Sequence, residues 1–309
     1  MSIKIIGIGS YIPEKVLTNT EISKFVDTTD EWVKEKLGIS ERRVSKEIEL
    51  SSDLAVHSSL RAIADAGLGV DDIDFIIMAT STPDRISPST ACLLQEKIGA
   101  FNAACVDVNA VCPGFLYGLQ IAKGLLLIGQ YKNILLVASE TYSKITDWER
   151  RDCVFFGDGS GAVVLQSDIN NFCEIDLYAD GRGKDAFTVH HGKTFSMNGK
   201  EVYESGITKL PSSITKLLER TSIDKTDINH IIPHQPSVNI LKKTAELLDI
   251  DFSKFALTMD KYANTAGASI PITLDDLYKK NKLNKGDLLL LTTLGSGWVW
   301  GSGLIKWTK

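Results

Sequence analysis

The sequence predicts an α/β fold in which two βαβ-rich halves of similar design pack as layers of helix and sheet. Two observations carry this expectation. Strands read as unbroken apolar runs, IIMAT (76–80) and LLLLTTL (288–294) among them, which is the pattern of sheets covered by helices on both faces. The chain also resembles itself. IDFIIMATSTP (73–83) is echoed by INHIIPHQPSV (228–238), NILLVASETYS (133–143) by DLLLLTTLGSG (287–297), and SGAVVLQS (160–167) by GSGLIKW (301–307), in the same order. VDVNAVCPGF (106–115) has a positional counterpart in ALTMDKYANTAGASIP (256–271), each read as strand, polar turn and helix. Such repeats place a seam near Ser167–Phe172 and divide the chain into residues 1–168 and 169–309.

From the N-terminus, MSIKIIGIGSYIPEKVLT is a strand-like run with a glycine turn and lacks the long apolar stretch of a secretion signal, so a cytoplasmic protein is expected. With 309 residues, 43% of them hydrophobic, the chain can bury a large core and has the composition of an ordinary globule. A formal net charge of −5 gives no global attraction to nucleic acid or anionic lipid, so an anionic substrate needs a local basic patch. Cys92, Cys105, Cys112, Cys153 and Cys173 are odd in number and form no CxxC pair. Free thiols are expected, with neither a disulfide framework nor a metal site.

Cys112 stands where an apolar strand stops and a helix begins. Pro113 suits the first helical position, because its missing N–H would be unpaired there, and Phe115, Leu116, Leu119, Ala122, Leu125 and Leu126 recur at helical spacing. That puts Cys112 at the N-cap, where free amides and the helix dipole favour a thiolate, the form of cysteine that attacks thioesters. A small buried hydrophobe would fit the same position.

FGDGSGA (156–162) is glycine-rich but lacks the Lys-Ser/Thr ending of a phosphate loop. Gly181–Asn198 reads as a surface loop or flap, with no partner visible for His190 or His191. His234 directly follows a buried strand, and Asn264 opens a helix that Pro271 is expected to kink. Singly, these are a satisfied polar residue and a helix cap. With Cys112 they make a nucleophile, an imidazole and an amide, a recurring set for acyl transfer, and all three follow expected strands, as Gly295–Gly297 does.

Six blocks extend the comparison: DTTDEWVKEKLGISERR (27–43), DVNAVCPGF (107–115), FFGDGSGAVVL (155–165), IIPHQPS (231–237), YANTAGASIP (262–271) and LGSGWVWG (294–301). In this order, along essentially the whole chain, they resemble β-ketoacyl-acyl carrier protein synthase III, a thiolase-fold condensing enzyme. The resemblance implies a thiolase-like fold in α/β/α/β/α layers and a catalytic triad of Cys112, His234 and Asn264. It implies transfer of an acyl group from coenzyme A to Cys112, with the backbone amides of Cys112 and Ser296 as the oxyanion hole. Decarboxylative condensation with malonyl-acyl carrier protein (malonyl-ACP) follows, His234 and Asn264 stabilising the enolate, with no metal or redox cofactor. Acyl-CoA and ACP are the implied partners, and the chain is expected to form a homodimer. Trp32 corresponds to a tryptophan that stacks on the adenine of coenzyme A, and Arg151 to an arginine on the opposite side.

Several positions depart from the family pattern. Asn239 replaces an arginine five residues past the histidine, and Glu246 and Leu247 replace a basic pair. Carrier-protein docking is therefore in question, and Lys242 and Lys243 are the cations available nearby. Pro113 replaces a small residue, and HQPS replaces HQAN, which reshapes the pocket rim. Ser87 occupies the position of a partner-subunit residue that closes the acyl channel, where some relatives carry a bulky aromatic. A longer primer than acetyl is then conceivable, unless Leu294 refills the space. Two further readings stand beside the synthase: an acyltransferase of the same fold with another acceptor in secondary metabolism, and a noncatalytic acyl-binding subunit.

Overall fold

The computed structural model describes residues 2–309. In chain order come β1 (Ser2–Tyr11), β2 (Lys15–Thr18), α1 (Asn19–Ile22), α2 (Asp30–Leu37), β3 (Glu41–Val44), α3 (Ser51–Asp65), β4 (Phe75–Ala79), α4 (Thr90–Ile98), β5 (Ala104–Val108), α5 (Gly114–Leu127), β6 (Ile134–Glu140) and β7 (Gly159–Asp168). There follow β8 (Cys173–Ala179), β9 (Phe187–Val189), β10 (Phe195–Met197), α6 (Gly199–Thr221), β11 (His230–Pro233), α7 (Val238–Leu248), α8 (Met259–Tyr262), α9 (Ser269–Lys279), β12 (Leu288–Gly295) and β13 (Val299–Lys306).

One sheet has the order β1-β7-β6-β4-β5 and another β11-β12-β13-β8. Read from the other edge, the second sheet repeats the order and strand senses of the first four strands: antiparallel, antiparallel, then parallel. Alternation along each strand divides its side chains between two apolar layers, which is why the strands are apolar throughout. Ile77, Ala79, Leu136 and Ala138 join a central core, while Ile76, Met78, Leu135 and Val137 join an outer one. Between the sheets lie α5 and α9, supplying Phe115, Leu116, Ile270 and Leu274 to the central core. α3 and α4 cover the outside of the first sheet, and α6 and α7 that of the second. α5 approaches closely because Gly118 has no side chain: a Cβ there would lie 2.4 Å from Leu136 Cδ1.

Five local expectations are corrected. β5 ends at Val108, four residues before the thiol, and α5 starts at Gly114 with Pro113 as its N-cap, so Cys112 lies one residue outside the cap. Residues 256–258 form no strand, and the second sheet has no counterpart of β5 beyond a bridge between Ile231 and Phe255. The reason is Gln235: its Oε1 accepts from the backbone N–H groups of Thr258 (3.0 Å) and Met259 (3.1 Å), and the chain turns into α8. Asn264 does not open a helix. It sits in a turn, accepting from Gly157 N and donating to Phe155 O (3.0 and 3.1 Å), and α9 begins five residues later. Pro271 then falls in the first turn of α9, where its missing N–H breaks no helical bond and no kink is needed. Finally, Gly181–Asn198 is not a plain surface loop. It contains the β9–β10 hairpin, whose Phe187 and Phe195 are buried.

Candidate active site

Cys112, His234 and Asn264 converge at the strand ends and line one cavity of about 450 Å³. All three are nearly closed to solvent, at 9%, 3% and 6% exposure. Cys112 and Asn264 are each placed by an unusual local backbone. Val111, immediately before the thiol, has φ 51°, and Ala263 and Ala266, on either side of Asn264, have φ 55° and 45°. Residues with a side chain rarely adopt the left-handed region, and such strain concentrates where side chains must be aimed.

His234 is anchored by its backbone N–H, which donates to Thr292 O at 2.8 Å and ties the end of β11 to β12. Burial pushes its imidazole down to about 3, with the Ala266 backbone opposing, and Nδ1 has no hydrogen-bond partner among the described residues. The ring is therefore neutral in the physiological range, with one nitrogen a donor and the other an acceptor. Asn264 Oδ1 accepts from Ala266 N at 2.8 Å, which fixes the amide and leaves Nδ2 as its donor. The Cys112 thiol is pushed up by burial first and then by the charge of Glu140. This corrects the expectation from the helix end: desolvation outweighs the dipole, and the resting sulfur is a thiol.

The glycine-rich turn after β12 presses against Cys112. A Cβ on Gly295 would stand 2.5 Å from Pro113 Cδ and 3.0 Å from Cys112 N, so only glycine permits this approach. Ser296, the next residue, lines the same cavity and donates from Oγ to Phe187 O at 2.6 Å. An aromatic wall of Tyr142, Phe156, Phe187 and Phe195 packs with Cys112 in one apolar cluster. Tyr142 stacks on Phe156 with centroids 4.4 Å apart, and Phe187 on Phe195 at 5.5 Å. Behind them the buried Glu140 accepts from Ser81 N (3.1 Å), Ser81 Oγ (2.9 Å) and Thr82 Oγ1 (2.7 Å). Burial raises its carboxyl to about 7 against these hydrogen bonds. None of the aromatics nor Glu140 was singled out from sequence. The available signal was a lone acid closing the otherwise uncharged, mostly apolar run ILLVASE.

Toward the surface, the cavity is lined by Trp32, Lys36 and Asn239. The Arg151 guanidinium lies over the Trp32 ring, 3.9 Å from its centroid, so these two positions meet although more than a hundred residues separate them. Asn239 Nδ2 donates to Lys36 O at 3.0 Å, holding the last turn of α2. Lys243 is paired with Glu246 at 2.6 Å, whereas Lys242 is exposed. Leu294 lines the cavity as expected, and Ser87 is exposed on the surface of the single chain.

Two family models match the chain: 3-oxoacyl-[acyl-carrier-protein (ACP)] synthase III over residues 106–181 and the C-terminal part of the same family over 218–307. The β-ketoacyl-[acyl-carrier-protein] synthase III of Clostridium acetobutylicum is 43% identical over 324 residues, covering 100% of this chain and 99% of that protein. The enzyme of the same name from Rickettsia rickettsii is 42% identical over 318 residues, covering 99% and 100%. Among solved structures, the 3-oxoacyl-[acyl-carrier-protein] synthase III of Aquifex aeolicus VF5 superposes with a TM-score of 0.96 at 37% identity, covering 99% of this chain and 100% of that one. The fold is thiolase-like, and with both halves of the family pattern present along its length the chain belongs to the 3-oxoacyl-ACP synthase III family of condensing enzymes.

Proposed function

We propose that Cys112 carries the acyl group in a decarboxylative condensation that joins an acyl-CoA primer to malonyl-ACP. The observation that supports this most is the meeting of a thiol, a neutral imidazole and an oriented amide, all nearly closed to solvent, in one largely apolar cavity. In the first half-reaction the neutral imidazole of His234 takes the thiol proton as sulfur attacks the thioester. The new C–S bond replaces that to coenzyme A, which leaves as a thiol with the same proton, so His234 returns to its neutral form. The oxyanion is held by the amides of Cys112 and Ser296, which the close approach of Gly295 brings together.

In the second half-reaction the malonyl C–CO₂⁻ bond breaks and its electrons pass to the thioester oxygen. His234 and Asn264 Nδ2 donate to the enolate. A largely apolar site favours this step, because an ionic carboxylate becomes neutral CO₂. The enolate carbon then attacks acyl-Cys112, forming the C–C bond and releasing the sulfur, and 3-ketoacyl-ACP departs. The sulfur released as a thiolate takes one proton from solvent to regain the resting thiol, so the cycle consumes the two thioesters and one proton, and the proposal includes no cofactor.

Trp32 and Arg151 would hold the adenine, the ACP would dock around the cavity mouth, and the assembly would be a homodimer. No helix among the described residues is long and apolar enough to cross a membrane. The five free cysteines suit a reducing cytoplasm. Asn264→Ala separates the half-reactions. It is expected to leave Cys112 acylation by acyl-CoA within a few-fold and to cut malonyl-ACP decarboxylation by about 10²-fold, the scale of one lost oxyanion donor. Decarboxylation at the parent rate would contradict the assignment.

A further inference from the structure

Arg42, on β3, is the only buried lysine or arginine among the described residues, at 0% exposure, and it belongs to no ion pair among them. Its partners are neutral oxygens. Nη1 donates to Leu17 O at 3.0 Å, and Nη2 donates to Asn19 Oδ1 at 2.8 Å and to Val154 O at 3.0 Å. Nε has no partner among the described residues. Burying a charge without a countercharge is costly, and an apolar side chain of similar volume would fill the space more cheaply. Arginine adds what no apolar residue has, a flat and rigid fork that donates to several segments at once.

The fork joins two distant stretches of chain. On one side Asn19, also fully buried, carries the contact onward, its Nδ2 donating to Asp30 Oδ1 at 3.0 Å and to Ile39 O at 2.7 Å. Asp30 opens α2 two residues before Trp32, and Ile39 lies just past the end of that helix, so Asn19 holds α2 at both ends. On the other side Val154 closes the single turn Arg151–Val154. Nearer the surface the same two stretches bring the Arg151 guanidinium over the Trp32 ring. Arg42 itself is not among the residues that line the cavity.

We propose that Arg42 is a positioning residue for nucleotide recognition, its buried fork fixing the backbones that present Trp32 and Arg151 to the adenine of coenzyme A. The proposal rests on the reading of those two residues as the adenine site.

The test is single-turnover acylation of Cys112, followed by intact-protein mass, with acetyl-CoA and with S-acetyl-pantetheine, which lacks the nucleotide, as probes. Parent, Arg42→Lys, Asn19→Ala and Trp32→Ala are compared, and thermal midpoints report folding. Lysine keeps the charge but loses the fork, and Asn19→Ala cuts only the arm to α2. Each is expected to raise the acetyl-CoA concentration at half-saturation by about three- to tenfold, the upper figure being that for loss of the Trp32 ring itself, with the limiting rate within about twofold. The constants for S-acetyl-pantetheine should stay at the parent values. If Arg42→Lys does not fold, Asn19→Ala decides by the same comparison. Parent half-saturation in a folded variant, an equal rise with both thioesters, or failure of both variants to fold assigns Arg42 to the fold alone and overturns the proposal. An unmoved Trp32→Ala overturns the adenine site and the proposal with it, whereas a rise in Trp32→Ala alone overturns only the proposal.

Discussion

Replacing Gly295 by alanine adds one methyl group at the place where the glycine-rich turn meets the nucleophile. Its Cβ would lie 2.5 Å from Pro113 Cδ and 3.0 Å from Cys112 N, whereas ordinary contact begins near 3.4 Å, so about 0.9 Å of movement is required. Little there can yield. Pro113 is a rigid ring serving as the N-cap of α5, and the neighbouring Val111 is already held at φ 51°. The backbone of Gly295 is outside the left-handed region, so the substitution tests contact and not conformational strain. Overpacking of this kind costs about 1–3 kcal/mol of stability. The larger effect is chemical, because a 1 Å misplacement of a catalytic group costs on the order of 10² in rate and loss of an oxyanion donor 10²–10³. Rapid-quench acylation of Cys112 by acetyl-CoA is expected to slow about 10²-fold in Gly295→Ala, with the thermal midpoint and circular dichroism reporting that the chain remains folded. Acylation within threefold of the parent in a folded variant would refute the placement of the oxyanion donors.

Two further expectations follow. Trp32→Ala removes the ring on which Arg151 stacks and is expected to raise KM for acyl-CoA roughly tenfold, about 1.4 kcal/mol, with kcat little changed. An acyl thioester lacking the nucleotide should show no such rise, and an equal rise with both would assign Trp32 to the fold. Glu140 is held at about 7 against an ordinary 4.5, so the protonated carboxyl stabilises the fold fully below 4.5 and that contribution is lost as pH rises through 7. The 2.5-unit difference corresponds to about 3 kcal/mol. Denaturant midpoints of Glu140→Gln are therefore expected to decline less than those of the parent between these pH values, and parallel curves would contradict the buried-acid account.

Much of the architecture was legible because it is local. The apolar strands, the helical spacing after Cys112 and the order of the repeats are all written in short segments, and the repeats reappear as two sheets of matching strand order. What escaped depends on contacts between distant residues. Gln235 captures the amides of Thr258 and Met259 from more than twenty residues away and so cancels the strand expected at 256–258. The hairpin that carries Phe187 and Phe195 looked like a surface loop, since its two strands have only three residues each and its buried face is set by Phe156 and Tyr142. The helix-end argument for a thiolate at Cys112 failed for a related reason. Local sequence shows the dipole, but only the packed structure shows the burial and the Glu140 charge that outweigh it. Cys112, His234 and Asn264, picked out by their complementary chemistry and by the family resemblance, nonetheless line one cavity.

The most direct test of the central claim follows the mass of the intact protein through both half-reactions, with Cys112→Ala as control. Exposure to acetyl-CoA is expected to add an acetyl mass to the parent and none to the variant. Subsequent addition of malonyl-ACP should discharge that mass with appearance of 3-ketoacyl-ACP and CO₂. An acetyl group that persists on Cys112 in the presence of malonyl-ACP, or acetylation that survives in Cys112→Ala, would contradict the account.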